Sequence, residues 1–314
     1  MSYMDYYADL NLKDTATNAR EIRAYYEKNG GYCFNITGTL RKVMCCSPDF
    51  YSIKNYKNPV AEMNCAKDGG DIDHEKAKAQ HKEMVRTYLK NGVDVELLEP
   101  TNGCIYQVFA RDFGGCIREG AILGTFKEPQ RWPETPLWEK RLHELGIPIA
   151  VRCTAGVIEG GDFAMIGEHC CVFGLIDRSD QVGFDSVSFQ LEELGYECLP
   201  IRLPHKWLHL DGSLNVVSDH VVLMCKQIMP PGVIEKFARR DYDIIDVPPE
   251  DILGLNANCE AIGKNRVIAA ASCHKMNEEM DRHGLEVIEV DVSEIMRGGG
   301  CIHCMTFPLL RDRD

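Results

Sequence analysis

The chain has 314 residues, a formal net charge of −13 and a hydrophobic fraction of 45%. A chain of this length and composition can bury a substantial core, either as one large domain or as two ordinary ones. The acidic charge argues against nucleic acid or an anionic membrane surface as a partner, and it favours a small cationic ligand instead.

The amino-terminal residues 1–31 contain acidic side chains and no apolar run of the kind found in signal peptides. No stretch of the chain reaches the roughly 18 apolar residues of a membrane span. The fifteen cysteines are odd in number and scattered, which favours reduced thiols over a disulfide framework. We therefore expect a cytoplasmic protein in which most cysteines, such as Cys45, Cys46, Cys170 and Cys171, act as small buried hydrophobes.

Five segments repeat one pattern, an amphipathic helix followed by a helix-ending residue and a short apolar run. The helix-ending residues are Gly92, Gly146, Gly195, Asp241 and Gly284, separated by 43 to 54 residues. Glycine takes the left-handed conformation that closes a helix, and aspartate can imitate it at some cost. The period predicts either five repeat units that close into a ring or ordinary alternation of helices and strands.

Chemically informative residues follow four of the five units. In chain order they are Asp112, Glu159, His209 and Cys304, each 13 to 20 residues after the end of its unit's helix. This regular placement favours the ring, because a ring would present all four at one end of its axis. The remaining unit offers only amides in Leu255-Asn-Ala-Asn-Cys259, for which we expect a role in shape or hydrogen bonding.

The Cys301-x-x-Cys304 pair also permits a zinc or a redox interpretation. A zinc site of the usual kind needs further ligands, and the sequence has no second CxxC pair. A thioredoxin-like pair opens a helix after a strand, whereas three glycines precede this one and the sequence ends ten residues after Cys304. A catalytic thiol with acidic and histidine partners fits the remaining motifs better.

Four motifs in this order resemble those of the pentein superfamily, which includes arginine deiminases, dimethylargininases, agmatine deiminases and amidinotransferases. The resemblance spans about Arg41 to Leu310 and rests on Phe109-Ala-Arg-Asp112, Glu159-Gly-Gly-Asp162, His209-Leu-Asp211 and Gly298-Gly-Gly-Cys-Ile-His-Cys304. It implies a five-bladed, pseudo-symmetric α/β propeller with the active site on the central axis. It further implies a single catalytic domain over residues 1–314, with residues 1–40 as an amino-terminal extension packed on it.

The same resemblance implies a division of labour among the site residues. A guanidinium carbon is a poor electrophile. An enzyme must therefore fix the plane of the group, attack its carbon with a good nucleophile and protonate the nitrogen that leaves. Asp112 and Asp211 would each hold the guanidinium by paired hydrogen bonds. Cys304 would attack as thiolate, and His209, oriented by Glu159, would protonate the leaving amine and later activate water.

Four residues bear on the far end of the substrate and on its methylation. The resemblance places Arg178 against a substrate carboxylate, and Asp162 is expected either to secure its glycine turn or to contact the substrate. Tyr106 stands six residues before Asp112, where many relatives carry an asparagine or aspartate for the amino-acid end. Dimethylargininases lack an acid at the position of Asp211, which favours an unmethylated guanidinium here.

These features predict a cysteine-dependent hydrolase that converts a guanidino compound, arginine or a close analogue, into a ureido product and ammonia through a covalent S-alkylthiouronium intermediate. The alternatives are an amidinotransferase that passes the amidino group to an amine, and a hydrolase of the arginine dihydrolase or dimethylargininase type. A non-catalytic, ribosome-binding relative would not need the catalytic set. We expect no cofactor and no metal, and a homo-oligomer is compatible with the sequence.

Overall fold

The computed structural model describes residues 3–54, 58–68 and 70–314. In these ranges the helices are α1 Tyr3–Tyr6, α2 Thr15–Asn29, α3 Pro59–Asp68, α4 His74–Lys90, α5 Thr135–Glu144, α6 Gln181–Glu193, α7 Pro231–Ala238, α8 Pro249–Ile252, α9 His274–Arg282 and α10 Ser293–Met296. The strands are β1 Leu40–Cys46, β2 Asp94–Leu98, β3 Gly114–Ile117, β4 Gly120–Leu123, β5 Ile149–Arg152, β6 Phe163–Met165, β7 Cys170–Leu175, β8 Glu197–Arg202, β9 Leu214–Val216, β10 Val221–Met224, β11 Asp243–Asp246, β12 Glu260–Gly263, β13 Arg266–Ala270, β14 Glu286–Val290 and β15 Phe307–Arg311.

The strands of the described ranges form five three-stranded sheets with one common plan. In each sheet the middle strand pairs antiparallel with one neighbour and parallel with the other, and the five sheets are β15-β1-β2, β3-β4-β5, β6-β7-β8, β9-β10-β11 and β12-β13-β14. A parallel step needs a long crossover, and in each unit that crossover contains a helix, namely α4, α5, α6, α7 or α9. The predicted α/β class is therefore confirmed.

The first sheet joins the two ends of the chain. Its antiparallel strand is β15, whose Phe307 lies opposite Met44 and whose Arg311 lies opposite Leu40 of β1. The turn that precedes β15 therefore holds the same place in its unit as the turns before β3, β6, β9 and β12. Cys304 lies in this turn.

The five predicted helix ends are confirmed by the backbone. Gly92, Gly146, Gly195 and Gly284 have φ values from 74° to 92°, and Asp241 has a φ of 57°. All five lie in the left-handed region, two or three residues beyond the last helical residue. The glycine or aspartate that marks each helix end in the sequence therefore meets the need of the backbone for a left-handed residue at that position.

In each sheet the middle strand and its antiparallel neighbour are buried along almost their whole length. Cys45 and Cys46 in β1 and Cys170 and Cys171 in β7 are buried, as the sequence predicted. All fifteen cysteines lie in the described ranges, and all are free thiols.

The amino-terminal residues contact the first sheet through buried polar groups. The Lys42 ammonium in β1 donates to the Asn18 side chain of α2, and Asn18 in turn donates to Glu96 of β2. The Tyr7 hydroxyl lies 2.8 Å from Nδ1 of the buried His81 in α4. These contacts pack the amino-terminal residues against the rest of the protein, as expected for an extension over residues 1–40. The assignment of residues 1–314 to a single domain remains a prediction.

Candidate active site

Short turns that precede the first strands of the sheets carry the predicted site residues. Three of these turns, 110–113, 160–162 and 210–212, are single turns of 3₁₀ helix directly before β3, β6 and β9, and the second contacts both of the others. The turn before β15 adds Cys304, and the residues before β12 add Asn258. Every unit therefore contributes to one site from the same structural position.

His209 is held between two acids. Its Nε2 lies 2.8 Å from Oε2 of Glu159, and its Nδ1 lies 3.8 Å from Oδ1 of Asp112. Gly161 lies against the other side of the ring, where a Cβ would come within 2.7 Å of the His209 Cγ and Nδ1 atoms. Gly161 is thus required by the packing of the histidine, and Gly160 by its close approach to the backbone of Arg111 and Gly114.

The two acids determine the charge of His209. Burial alone would lower its pKa, but the negative charge of Asp112 and the hydrogen bond with Glu159 raise the pKa to about 10. Burial works to raise the pKa of Glu159, and the hydrogen bond and charge of His209 outweigh it, so that this pKa is lowered. His209 is therefore an imidazolium at neutral pH and can donate a proton.

The Cys304 thiol lies among polar groups from three units. It donates to Oδ2 of Asp211 over 3.4 Å, and it accepts from Nδ2 of Asn258 over 3.1 Å. The Asn258 Oδ1 accepts from the Cys304 backbone N–H over 3.2 Å, which fixes the turn. Burial and then the charges of Asp211 and Asp112 raise the pKa of Cys304 well above its usual range. With these neighbours the sulfur keeps its proton at neutral pH.

His303 is a member of the site that the sequence did not identify. Its Nδ1 lies 2.9 Å from Oδ2 of Asp211, the same oxygen that contacts Cys304. Burial favours a raised pKa for Asp211, but the hydrogen bond and charge of His303 lower it, so Asp211 is a carboxylate. His303 stands inside the recognised glycine–cysteine motif, but its partner lies 92 residues earlier, and no local pattern links the two.

Asp112 is held by a partner that the sequence did not indicate. It does not pair with the adjacent Arg111, which instead donates to Glu260 over 2.6 Å. Its Oδ2 accepts from the buried Arg131, which also pairs with Glu134 over 3.0 Å. Burial raises the pKa of Asp112, and the charges of His209 and Arg131 oppose that rise. The Asp112 Oδ1 is buried without a hydrogen-bond partner among the described residues.

Arg178 and Asp162 do not line the cavity beside Cys304, and their role as substrate-binding residues stays a prediction. Arg178 is 2% exposed, donates to Asp177 over 2.9 Å and approaches Glu159 to 3.9 Å. Asp162 is fully buried, and its two oxygens accept from the Ser179 hydroxyl over 2.6 Å and from the Leu210 backbone N–H over 2.9 Å. Both side chains hold the turns that carry Glu159 and His209, because their polar groups are engaged inside the protein.

A cavity of about 470 Å³, including its mouth, opens beside Cys304. Its wall contains His209, Asp211 and Asn258 at the reactive end and mainly apolar side chains elsewhere, among them Val60, Trp207, Ile252 and Leu255. A concave, largely apolar site with a few convergent polar groups is typical of small-molecule binding. Tyr106 is 1% exposed and packs in the core, so its side chain is not part of this wall.

One group of side chains in the described ranges is close enough to hold a metal ion, namely Asp112, Glu159 and His209, whose ligand atoms lie within 4.8 Å of one another. The two acids face different nitrogens of the same imidazole ring. A metal ion binds a single ring nitrogen at about 2.0–2.1 Å and would have to displace the proton that this nitrogen shares with its acid. The arrangement fits an imidazolium between two carboxylates better than a metal site.

No helix in the described part of the chain combines the length and the hydrophobicity that crossing a bilayer requires. The family model for N,N dimethylarginine dimethylhydrolase, eukaryotic, matches residues 55–311. The uncharacterized protein YkgA of Bacillus subtilis is 33% identical over 279 residues, which cover 89% of this chain and 95% of YkgA.

Two further relatives have described activities. The N(G),N(G)-dimethylarginine dimethylaminohydrolase of Pseudomonas aeruginosa is 30% identical over 76% of this chain and 90% of its own. The crystal structure of the amino-terminal domain of ArgZ bound to product, an arginine dihydrolase from cyanobacteria, superposes with a TM-score of 0.76 at 23% identity. The superposition covers 87% of this chain and 98% of the ArgZ domain, and it supports the fold alone.

Proposed function

Because the chain belongs to the N,N dimethylarginine dimethylhydrolase family, we propose that this cysteine-dependent guanidino-group hydrolase acts on an unmethylated guanidinium, that of arginine or a close analogue. The products are a ureido compound and ammonia. The observation that carries the proposal is the convergence of a thiol, an imidazolium and the Asp211 carboxylate at the end of one cavity, with the Asp112 carboxylate 3.8 Å from the imidazolium.

In the first half of the reaction we assign the nucleophile to Cys304. A guanidinium between Asp112 and Asp211 would donate to both carboxylates and bring its positive charge next to the sulfur. That charge offsets the effect of the acids on the thiol, which then loses its proton and attacks the guanidinium carbon. His209 protonates a departing nitrogen, ammonia leaves, and an S-alkylthiouronium remains on Cys304.

In the second half the neutral His209 acts as a base. It takes a proton from a water molecule as the water oxygen bonds to the amidino carbon, and the C–S bond then breaks. The sulfur recovers a proton, and the ureido product leaves. The hydrogen bond of His209 with Glu159 supports this exchange of roles, because it holds the ring in one orientation while the ring gains and loses a proton.

The position of Asp211 favours an unmethylated substrate. Its Oδ2 lies within contact distance of Cys304, His303 and Asn258, so a guanidinium nitrogen at this place must bring an N–H to a crowded carboxylate. A dimethylated nitrogen has no N–H to donate, and its methyl groups need space. The family and the Pseudomonas relative support dimethylarginine as the second candidate substrate. An amidinotransferase finds less support, since the matched family is one of hydrolases.

The remaining predictions about the molecule stay proposals. We propose that the five sheets are the blades of a five-bladed propeller with Cys304 near its axis, which the shared plan of the sheets and the pairing of β15 with β1 support. A cytoplasmic location is supported by the fifteen free thiols. A homo-oligomer is compatible with these features.

The deciding experiment compares arginine, dimethylarginine and agmatine as substrates while ammonia and ureido product are measured. It is combined with a rapid acid quench and mass spectrometry of the Cys304 peptide. We expect turnover of arginine or an unmethylated analogue and an adduct that retains the substrate's carbon skeleton. An adduct of the bare amidino group would favour an amidinotransferase, and faster turnover of dimethylarginine than of arginine would overturn the role given to Asp211.

A further inference from the structure

A second cavity lies on the other side of the turns that carry the site. We call it the inner cavity, and its wall includes Arg111, Gly161, Asp211, Glu260 and His303. It measures about 430 Å³ with its mouth. Its enclosed part has room for about one or two water molecules. It can therefore admit water or ammonia.

The inner cavity borders the reacting groups of the active site. Asp211 lines both cavities, and the contact between His303 Nδ1 and Asp211 Oδ2 lies at their boundary. Gly161 lines the inner cavity and also lies directly against the His209 ring, with no side chain between the two. Small molecules in the inner cavity would thus be separated from His209 by a glycine and from Cys304 by a hydrogen-bonded pair.

The wall of the inner cavity is suited to water. Glu260 accepts from Arg111 over 2.6 Å and from Arg311 over 2.7 Å, and these three charged side chains are at most 4% exposed. Buried charges and hydrogen-bonding groups favour ordered water in an adjoining space, whereas apolar cavities of this size remain dry.

We propose that the inner cavity supplies the water that hydrolyses the covalent intermediate and receives the ammonia released before it, an inference that rests on the proposed function. In the intermediate the substrate's carbon skeleton remains attached to Cys304 and fills the cavity beside this residue, which we call the outer cavity. Water from the mouth of that cavity would have to pass the bound tail. The inner cavity offers a second source of water that the tail does not obstruct, and this water reaches the sulfur when the hydrogen bond between His303 and Asp211 opens.

Each step of this exchange balances. Attack by Cys304 forms the C–S bond and breaks one C–N bond, and the proton lost by the thiol is matched by the one that His209 delivers to the departing ammonia. Ammonia passes to the inner cavity, and water takes its place. The water oxygen bonds to the amidino carbon, one water proton goes to His209, and the C–S bond breaks with return of a proton to sulfur. The proton that the thiol released in the first step binds the ammonia, which leaves as ammonium.

The test narrows the inner cavity without touching a reacting group. Ala164 lines the cavity from β6, and Ala164→Leu fills part of it. Ala269 in β13 belongs to the same apolar cluster and is equally small, but it does not line the cavity, so Ala269→Leu is the matched control. Both variants overpack the core, and Ala164→Val provides a milder change should Ala164→Leu fail to fold.

The measurement is a single turnover of arginine, or of the guanidino compound that the substrate comparison identifies, with the Cys304 adduct followed by quench and mass spectrometry. In folded Ala164→Leu we expect adduct hydrolysis to slow by about tenfold or more, which corresponds to about 1.4 kcal/mol or more, while adduct formation changes by less than about threefold. Ala269→Leu should leave the ratio of the two rates unchanged.

The outcomes separate the two proposals. An unchanged rate of adduct hydrolysis in folded Ala164→Leu or Ala164→Val, or an equal loss in both steps, would overturn the role of the inner cavity. The absence of any Cys304 adduct in the unmodified enzyme during turnover would instead count against the proposed function itself.

Discussion

The Glu159→Gln substitution tests how the site sets the charge of His209. The pKa of His209 is raised from 6.5 to about 10, and the hydrogen bond between its Nε2 and Glu159 is 2.8 Å long and buried. A hydrogen bond to a charged group contributes about 1.5–3 kcal/mol, which corresponds to about one to two pKa units. We therefore expect the pKa of His209 to fall by about that amount in Glu159→Gln.

The sign of the effect on activity follows from the role of His209 as an acid. The imidazolium is required for the first half of the reaction, so kcat/KM should be lost as the pH rises through the pKa of His209, near 10 in the unmodified enzyme. In Glu159→Gln this basic limit should move down by about one to two pH units. The kcat at pH 7 should fall about 10- to 100-fold, because the ring also loses its fixed orientation.

The assay combines pH profiles of ammonia release with a direct titration of His209 by NMR on histidine-labelled protein. Replacement of His209 by glutamine identifies its resonance. Glu279→Gln is the control, because it makes the same exchange at the partly exposed pair of Glu279 with His283. A basic limit and a His209 titration that both remain near those of the unmodified enzyme would refute the assignment of Glu159.

Four further predictions concern the nucleophile, the two carboxylates that hold the guanidinium, the independence from metal ions and the backbone at two helix ends. Cys304→Ser should lose turnover by about three orders of magnitude or more while folding normally, whereas the buried but more remote Cys301→Ser should be comparatively mild; equal, complete losses would favour a paired-cysteine function. Asp112→Asn and Asp211→Asn should each lower kcat/KM by about 100-fold or more, because an amide N–H opposes the donors of a guanidinium, and the exposed Asp219→Asn should not. Activity should survive exhaustive EDTA treatment, and a strict requirement for a divalent ion would contradict the role given to His209. Asp241→Gly should raise the free energy of unfolding in urea by up to about 1 kcal/mol, since Asp241 has a φ of 57°, and Gly195→Asp should lower it.

The sequence predicted the parts of the fold that depend on local backbone requirements. The five helix ends could be found because a left-handed residue must follow each helix, and glycine or aspartate meets that need visibly. The pairing of β15 with β1 has no such local sign. An apolar run such as Phe307–Arg311 shows that a strand is present, but it does not identify a partner more than 260 residues away.

In the candidate site, too, local sequence patterns revealed some features and could not reveal the contacts between distant residues. Cys304, His209 and Asp112 were found because each stands in a short motif, but their partners come from distant units. Asp112 stands next to Arg111 in the chain, yet it pairs with Arg131, while Arg111 reaches Glu260, 149 residues later. The partners of Arg178 were hidden for a related reason, because no local pattern in the sequence reveals that its guanidinium donates to Asp177 and lies 3.9 Å from Glu159.

The charges around Cys304 couple the state of the sulfur to the identity of the bound molecule. Asp211 and Asp112 raise the pKa of the thiol, so a neutral compound in the cavity would leave it protonated and unreactive. A unit positive charge about 4 Å away contributes about 4 kcal/mol at an effective dielectric constant of 20, or about three pKa units in the opposite direction. A guanidinium thus creates the thiolate that attacks it. The ureido product is neutral, so its formation removes this charge, returns the proton to the sulfur and loosens the hold of both carboxylates on the product.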